Sequence, residues 1–377
     1  MNYSQIPSPC YVLEEEKLIK NLELINSVQK RAGITVILAL KGFAMYSTFP
    51  LVRKYLKGAT ASSLFEAMLI REELGGELHL YFPVYQEHEF AAAIKDATHI
   101  TFNSLSQWES FKEKTFNAKI SPGLRINPEY SPVETDMYNP ASLMSRLGIR
   151  AETLGDKLPE GIEGLHCHNL CESDSHALST TLEQIEKLFG NHLPHIKWLN
   201  LGGGHLLTRQ GYDIEHFVKV MTDFKTRHPH LDIYIEPSSA IAWETGFLRA
   251  TVLDLIQTPD PIIAMLDVSF TAHMPDCLEM PYKPRIQGAR DPQPGETAYR
   301  MGGLTCLAGD VMGMGDYYFS TPLKIGDSII LEDMIHYTMV KTSMFNGVKH
   351  PSIGILRNGE FELVREFEYE DFKRRLS

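Results

Sequence analysis

A chain of 377 residues is long enough for two domains, and its 43% hydrophobic and 22% charged content is typical of a globular protein. The formal net charge of −12 argues against nucleic acid as a partner, because nucleic-acid binding needs a basic surface. Five cysteines, an odd number spread over the chain, favour reduced thiols and a cytoplasmic protein. We expect no membrane span and no secretory signal, since the sequence shows neither apolar pattern.

The first half of the chain alternates helical and strand patterns. Apolar residues recur at helical spacing between residues 14 and 31, and the helix is expected to end at Gly33. The next segment is apolar without alternation, which predicts a buried strand that ends at Lys41. Seven further strands are expected, most of them followed by a helical pattern. The eight predicted strands cover residues 36–40, 59–63, 78–82, 99–102, 120–126, 164–168, 198–201 and 233–237.

This alternation is typical of a (β/α)8 TIM barrel, so the predicted fold class is α/β, with the barrel in residues 11–245. Helical periodicity becomes scarce after the last of these strands, and turn residues are dense. We therefore predict a C-terminal β-domain over residues 246–377, which the N-terminal segment 1–10 is expected to join. Its strand patterns cover residues 246–257, 262–270 and 328–331.

Polar residues stand at or just past the ends of four predicted strands: Lys41, Arg125, His168 and Glu236. In a barrel these ends form the face where active sites lie. A desolvated lysine there has a lowered pKa and can form a Schiff base with a carbonyl cofactor, although it could also close the strand and reach solvent. A buried carboxylate at Glu236 needs a cationic or hydrogen-bonding partner, and a salt bridge to Arg125 is the structural alternative.

Two glycine-rich segments follow or flank polar groups. Residues 202–204 are three glycines directly after a strand, where backbone N–H groups can approach a phosphate, although a tight turn would look the same. Their spacing matches neither a dinucleotide-binding motif nor a P-loop. Residues 303–310 place the Cys306 thiol and the Asp310 carboxylate in a glycine-flanked loop, which could present function or be a simple turn.

His166 and His168 raise a metal hypothesis. Alternate residues of a strand point the same way, so both imidazoles could bind one ion with Cys171 and Glu172 nearby. His–x–His barrel hydrolases, however, usually carry this pair on the first strand, and here it lies on the sixth. We therefore predict no metal and expect one of the two histidines to be a core side chain.

Several residues occur in the order seen in fold-type III pyridoxal 5′-phosphate (PLP) enzymes, and the chain resembles the ornithine and diaminopimelate decarboxylase superfamily, with its alanine-racemase-like barrel. These residues are Lys41, His168, Gly202, Gly203, Gly204, Glu236, Cys306 and Tyr337. More narrowly, four segments resemble the carboxynorspermidine (carboxyspermidine) decarboxylases. They are residues 60–64, 270–276, 279–282 and 306–310.

The resemblance implies a PLP-dependent decarboxylase of polyamine biosynthesis and a role for each matching residue. Lys41 would hold PLP as a Schiff base, His168 would stack on the pyridine ring, and Glu236 would bond the pyridine nitrogen. Arg125 would support the ring region. The phosphate would be held by the glycine segment, by Cys171, where relatives usually have serine, and by Tyr337.

The same resemblance implies a homodimer with shared active sites, in which Cys306 reaches the partner's site and delivers a proton. The residues expected near the polyamine-type substrate are His273, Asp276, Glu279 and Asp310. The chain departs from the family pattern in two ways: Ser238 and Ser239 follow the Glu–Pro pair where glycine is common, and Leu307 replaces the aspartate that binds the distal amine in ornithine decarboxylases.

Other functions stay open at this point. The main alternative is a decarboxylase of another basic amino acid, of the diaminopimelate or ornithine type. A racemase would carry an arginine, rather than Glu236, at the pyridine nitrogen. A non-enzymatic PLP carrier would usually be a single barrel, and a barrel metal hydrolase would use His166 and His168. Carboxynorspermidine and carboxyspermidine differ by one methylene, which the sequence does not discriminate.

Overall fold

The computed structural model of the protein describes residues 5–134 and 139–377. These residues form two compact units. One unit consists of residues 21–241, and the other combines the described residues up to 20 with residues 242–377. The domain boundary near residue 245 stays a prediction, and of the predicted N-terminal segment the first four residues lie outside the described part of the chain.

The chain opens with strand β1 (Cys10–Glu14) and helix α1 (Glu15–Ala32). Helix α1 carries Glu15 and Glu16 in its first turn and Lys30 and Arg31 in its last, charges that complement the helix dipole. Its apolar positions at 18, 22, 25 and 28 are fully buried, as the helical spacing predicts. The chain passes from one unit to the other within this helix.

Residues 21–241 form the predicted barrel. Its strands are all parallel and follow one another around the sheet in chain order. They are β2 (Thr35–Val36), β3 (Leu38–Ala39), β4 (Gly58–Ala61), β5 (Glu77–Tyr81), β6 (His99–Phe102), β7 (Ser121–Arg125), β8 (Gly164–His166), β9 (Trp198–Asn200) and β10 (Asp232–Ile235).

The first predicted strand closes this sheet. It is interrupted at Ile37, so that β2 pairs with β10 and β3 pairs with β4. The N–H of Ile37 itself donates to the carbonyl of Ile235 at 3.0 Å. One stretch of chain thus bonds to the last strand and to the second strand, which confirms the eight-strand barrel expected from the sequence.

The helices of this unit follow the strands, and polar residues begin several of them. Ser104, Asp174 and Asp213 each accept a hydrogen bond from a backbone N–H of the first turn. The helices are α2 (Phe49–Val52), α3 (Leu64–Leu69), α4 (Glu87–Ala93), α5 (Leu105–Asn117), α6 (Ala151–Leu154), α7 (Ser175–Phe189), α8 (Ile214–Arg227) and α9 (Ser239–Ala242), with single turns at Tyr46–Thr48, Ile70–Leu74 and Leu193–His195. The cap at Asp174 starts α7 at Ser175.

The second unit is built on a seven-stranded sheet, which confirms a sheet domain after the barrel. Strand β1 lies in the middle of this sheet, antiparallel to β11 and parallel to β17. Its remaining strands are β11 (Gly246–Ile256), β12 (Ile262–Leu266), β14 (Tyr299–Gly302), β16 (Ser328–Glu332), β17 (Ser352–Arg357) and β18 (Glu360–Arg365). Strands β13 (Ala289–Arg290) and β15 (Tyr318–Phe319) form a separate antiparallel pair.

Helices α10 (Phe270–His273), α11 (Asp276–Glu279) and α12 (Tyr369–Leu376) and a 3₁₀ turn at Phe345–Gly347 complete this unit. The strand predicted over residues 262–270 ends at Leu266, because the Ser269 side chain accepts a hydrogen bond from the N–H of Ala272 and starts α10 instead. In the described residues no helix combines the length and apolar character needed to cross a membrane.

Candidate active site

Lys41 lies two residues beyond β3, at the carboxyl end of the barrel strands. Its Nζ atom is 3.2 Å from Nε2 of His168. Burial lowers the pKa of Lys41 below its ordinary value, and the Glu236 carboxylate offsets part of that effect. The lysine is therefore predisposed to carry a neutral, nucleophilic amine.

His168 is fixed on three sides. Its Nδ1 accepts a hydrogen bond from the N–H of Gly203 at 3.0 Å, and its carbonyl accepts one from Arg125 at 2.8 Å. Burial, and then the charges of Lys41 and Arg125, hold the pKa of His168 well below its ordinary value. In the neutral imidazole, Nδ1 is the acceptor and the proton is on Nε2, facing the Lys41 amine.

Glu236 directly follows β10 and is only 6% exposed. Asn200 donates to its Oε1 at 2.7 Å, and Nε2 of His166 lies 3.5 Å from its Oε2. Burial alone would raise the pKa of Glu236, but His166 and the charge of Lys41 outweigh it and lower this pKa to about 2. The carboxylate is therefore ionised at neutral pH.

Strand register explains how these supporting side chains meet. Arg125, His166 and Asn200 are direct partners across β7, β8 and β9, so they lie at one level of the barrel. The ring of His166 stacks on Tyr81, with centroids 5.2 Å apart, and the Arg125 guanidinium lies 4.7 Å from the centroid of the same tyrosine. Arg125 thus supports the floor of the site, whereas Asn200 and His166 are the side chains placed against the Glu236 carboxylate, and burial lowers the pKa of His166.

The backbone of the glycine segment lies so close to the residues that follow β8 that side chains at Gly202 and Gly204 would clash with them. Gly202 and Gly204 have φ values of 64° and 93°, which favour glycine. A Cβ on Gly202 would lie 2.5 Å from Cβ of His168, and one on Gly204 would lie 2.2 Å from the carbonyl oxygen of Leu170. The exposed residue Cys171 follows Leu170, so the glycine segment and Cys171 border one backbone cradle.

Sequence reasoning missed three contributors to this site. Asn200 is one of them: it lies two residues before the glycine segment, a position that could have indicated it, and it also accepts from the N–H of Gly202 at 2.9 Å. Glu66 accepts from the N–H of Ser62 at 2.6 Å and acts electrostatically on Lys41. Tyr81 lies in a segment whose sequence shows only a strand pattern, so no feature of the sequence indicated that it belongs to the site.

The metal hypothesis has no geometric support. His166 faces Glu236, whereas His168 faces Lys41 and Gly203, so the two imidazoles serve different partners. Among the described residues, three side chains of metal-ligand type come together only at Glu77, His79 and His99, in the amino-terminal halves of β5 and β6.

Ser238, one of the departures from the family pattern, contacts the barrel itself. Its hydroxyl donates to the carbonyl of Ala39 at 2.6 Å, so it ties the segment after Glu236 to β3. Ser239 is the first residue of α9.

The remaining predicted residues belong to the sheet unit. Cys306 is exposed, and its N–H donates to Oδ1 of Asn346 at 3.0 Å. Both oxygens of Asp310 are engaged by Thr271 and Thr305. Tyr337 is half-buried, with a φ of 49°.

Three predicted substrate residues lie on or beside α10 and α11. His273 accepts from the N–H of Ser269 at Nδ1, 3.1 Å away, and burial together with His350 lowers its pKa to about 3. Oδ2 of Asp276 accepts from Tyr282 at 2.6 Å and from Thr338 at 2.8 Å, while its Oδ1 is buried and has no hydrogen-bond partner among the described residues. Glu279 is paired with Lys341.

The family model described as "pyridoxal-dependent decarboxylase, C-terminal sheet domain" matches residues 10–335. The chain belongs to the pyridoxal-dependent decarboxylases. It is a carboxy-lyase that uses PLP, as the resemblance in the sequence implied. The lysine amine, the ionised Glu236 and the glycine-bordered cradle fit this cofactor's aldehyde, pyridine nitrogen and phosphate.

Full-length relatives of this decarboxylase are named for carboxylated polyamines. The chain is 60% identical to a carboxyaminopropylagmatine decarboxylase of Synechocystis over 374 residues, covering 99% of this chain and 96% of that protein. It is 43% identical to a carboxynorspermidine/carboxyspermidine decarboxylase of Campylobacter jejuni, with both chains fully covered.

Solved structures of decarboxylases match this chain in fold. The crystal structure of the Campylobacter jejuni carboxynorspermidine decarboxylase complexed with norspermidine matches with a TM-score of 0.91 at 42% identity, covering 98% of this chain and 100% of that one. Diaminopimelate decarboxylase from Helicobacter pylori, complexed with L-lysine, matches with a TM-score of 0.84 at 17% identity, covering 99% of this chain and 98% of that one, which shows the shared fold.

Proposed function

We propose that this PLP enzyme decarboxylates carboxynorspermidine or carboxyspermidine, giving norspermidine or spermidine. The observation that carries the decarboxylase chemistry is the buried Lys41 amine beside His168, with the ionised Glu236 in the same site. Full-length similarity to carboxynorspermidine/carboxyspermidine decarboxylases supports the substrate class.

A second substrate, carboxyaminopropylagmatine, is favoured by the 60% identity to the Synechocystis relative. The candidates share a carboxylated aminopropyl end, where the reaction occurs. They differ at the far end, since agmatine carries a planar guanidinium and the other two polyamines carry an ammonium. The choice therefore depends on residues that bind the distal cation.

Each of these barrel residues would have a separate role in binding the cofactor. Bound PLP withdraws electrons from the substrate α-carbon, so that CO2 can leave. Lys41 would hold the cofactor, His168 would lie against its ring, and Glu236 would accept a hydrogen bond from the pyridine nitrogen. Asn200 and His166 keep the Glu236 carboxylate oriented and ionised.

For the phosphate we propose the glycine segment, Cys171 and Tyr337. The backbone at Gly202–Gly204 and Cys171 can approach a phosphate without Cβ atoms in the way. Because the N–H groups of Gly202 and Gly203 already donate to Asn200 and His168, the contact from the glycine segment is proposed for the N–H of Gly204. Ser238 directs its hydroxyl to the Ala39 carbonyl, so any phosphate contact from the segment after Glu236 would come from backbone N–H groups or from Ser239.

We propose that Asp276 binds the distal cation of the substrate. Two hydroxyl donors fix its Oδ2, which leaves the buried Oδ1 as an acceptor that needs a cationic donor. Of the other acidic candidates, Glu279 is neutralised by Lys341, and Asp310 is saturated by Thr271 and Thr305. His273, with an unpartnered buried Nε2 beside the same helices, is a second contact for the substrate.

We further propose a cytoplasmic homodimer in which Cys306 serves the partner's site. The Cys306 thiol is exposed, and Leu304, Leu307 and Phe345 around it are large apolar side chains that are also exposed, at 41%, 49% and 47%. Such a patch around a reactive group suits coverage by a second copy of the chain. There Cys306 would deliver the proton that replaces CO2. Five free thiols support a reducing compartment.

The test is CO2 release from carboxynorspermidine, carboxyspermidine, carboxyaminopropylagmatine, ornithine and diaminopimelate. We expect kcat/KM for at least one of the three carboxylated polyamines to exceed that for ornithine and diaminopimelate by about 100-fold or more, because the short substrates leave the distal acceptor unpaired. Preference for ornithine or diaminopimelate would refute the proposed substrate class, and preference for carboxyaminopropylagmatine would select the second candidate.

A further inference from the structure

The loop that carries Cys306 is held by a carboxylate of its own unit. Oδ2 of Asp310 accepts from both the N–H and the hydroxyl of Thr305, at 2.9 and 2.7 Å, and Oδ1 accepts from the N–H of Thr271 at 3.1 Å. The N–H of Gly303 in turn donates to the carbonyl of Asp310 at 2.7 Å. Thr305, the residue before Cys306, is therefore held by the Asp310 side chain at the end of the loop. Asp310 is in turn held by the N–H of Thr271 in α10.

The cysteine backbone is anchored to a different element. Its N–H donates to Oδ1 of Asn346 at 3.0 Å. Asn346 lies in the 3₁₀ turn at Phe345–Gly347 and has φ 56° and ψ 12°, a left-handed conformation that asparagine adopts more readily than most residues. The turn around it is closed by a bond from the N–H of Gly347 to the carbonyl of Met344 at 3.1 Å.

We infer that Asn346 is a positioning residue for the Cys306 thiol, acting together with Asp310. The N–H groups of residues 305 and 306 are consecutive, and each is tied to a separate part of the unit. Anchoring both peptides fixes the direction of the Cα–Cβ bond of Cys306, so that only the χ1 rotation of the thiol remains free. This inference rests on the proposed role of Cys306 as proton donor.

Such positioning matters because proton transfer requires heavy atoms within hydrogen-bond reach, about 2.6–3.2 Å. A displacement of about 1 Å at a reacting group can lower a rate about 100-fold. A loop whose side chains are largely exposed would not hold a thiol to that tolerance by packing alone, because loops are more mobile than the elements they connect.

The experiment compares Asn346→Gly, Asn346→Asp and the control Asn358→Gly. Glycine accepts the left-handed backbone but removes the acceptor, whereas aspartate keeps an acceptor. Asn358 has a similar φ of 50° in the turn between β17 and β18 of the same unit, so it reports the effect of an Asn→Gly change elsewhere. Each variant is measured as holoenzyme for kcat, KM, Tm and amide hydrogen exchange in residues 303–310.

Asn346→Gly is expected to speed exchange of the Cys306 amide about fivefold or more, as loss of one hydrogen bond implies, and to lower kcat about 10- to 100-fold with KM within about twofold of wild type. Asn346→Asp should restore both quantities, and Asn358→Gly should change neither. Unchanged exchange in Asn346→Gly, or equal impairment of the Gly and Asp variants, would overturn the inference.

Cys306→Ser is measured in parallel, so that the proposed proton-donor role of Cys306 and the inferred positioning role of Asn346 are tested separately. If it lowers kcat while Asn346→Gly does not, the positioning role is wrong and the proton-donor role stands. If it leaves kcat unchanged, the proposed role of Cys306 fails, and the inference about Asn346 fails with it.

Discussion

The Nζ atom of Lys41 lies 3.2 Å from Nε2 of His168, whose Nδ1 accepts from the backbone of Gly203. The glycine segment thereby fixes which imidazole nitrogen faces the lysine. The neutral imidazole in that orientation presents its Nε2 proton to the lysine amine, so the cofactor-binding group is held in place by a side chain that carries no charge.

Replacement of this lysine should abolish cofactor attachment. Lys41→Ala is expected to lose the visible absorbance of the protein–PLP Schiff base and to lower kcat by at least about 1,000-fold, because the covalent anchor is gone. The matched control is Lys57→Ala, which removes an exposed lysine paired with Glu77 and should retain both properties. A covalent PLP adduct in Lys41→Ala would contradict the assignment.

The Lys41 amine of the cofactor-free protein should titrate below its ordinary pKa of 10.5. Burial lowers this pKa and Glu236 raises it, so the neutral amine already forms at a pH below that of an exposed lysine. Reductive methylation across pH, followed residue by residue by mass spectrometry, measures the midpoint. Glu236→Gln should move the midpoint still lower, and an upward shift would contradict the electrostatic role of Glu236.

Glu236 should stabilise the fold above pH 4.5 and lose that contribution in acid. Its pKa is about 2 in the folded protein, against an ordinary value of 4.5, so the stabilisation is lost as pH falls from 4.5 towards 2. The difference amounts to about 3 kcal/mol at neutral pH. Denaturant unfolding at pH 7 and pH 3 should show a smaller acid loss for Glu236→Gln than for wild type, and equal losses would refute the shift.

Asp276→Asn should weaken use of the long substrates. Loss of a charged hydrogen bond is expected to lower kcat/KM for the preferred carboxylated polyamine about 10- to 100-fold. The control Glu279→Gln, three residues along the same helix and already paired with Lys341, should change kcat/KM by less than about threefold, as exposed ion pairs are weak. Equal effects of the two substitutions would contradict the proposed cation site.

Shared active sites should be visible in mixed dimers. Lys41→Ala and Cys306→Ala subunits are each expected to be inactive or strongly impaired, whereas their mixture should regain partial activity, because a hybrid then carries one intact site. Subunit exchange is verified by native mass spectrometry of differently tagged chains. Failure to recover activity in verified hybrids would place both residues in the same subunit's site.

The barrel could be predicted because its pattern is local. Each strand and helix is a short run with its own periodicity, and parallel strands bring their carboxyl ends to one face, which is why Lys41, Arg125 and Glu236 could be placed together. The support given to Glu236 by Asn200 and His166 could not be predicted, because it depends on register between strands that are more than 30 residues apart.

The sheet unit was harder to predict for the same reason. Strands β14, β17 and β18 have only four to six residues and lie among turn residues, so their pairing rather than their pattern defines them. Asp310 illustrates the effect at a single side chain. The sequence suggested substrate contact, whereas its oxygens accept from Thr271 and Thr305, one of which is 39 residues away.

The place of β1 in the sheet has a consequence for synthesis. β1 leaves the ribosome first, yet its neighbours are β11 and β17, and β17 ends at Arg357. One edge of β1 therefore has no partner until β11 has been made, and the other has none until β17 has been made, while the strands of residues 35–235 can pair as they emerge. A nascent chain that stalls before residue 352 keeps an unpaired strand edge, which makes it prone to aggregation.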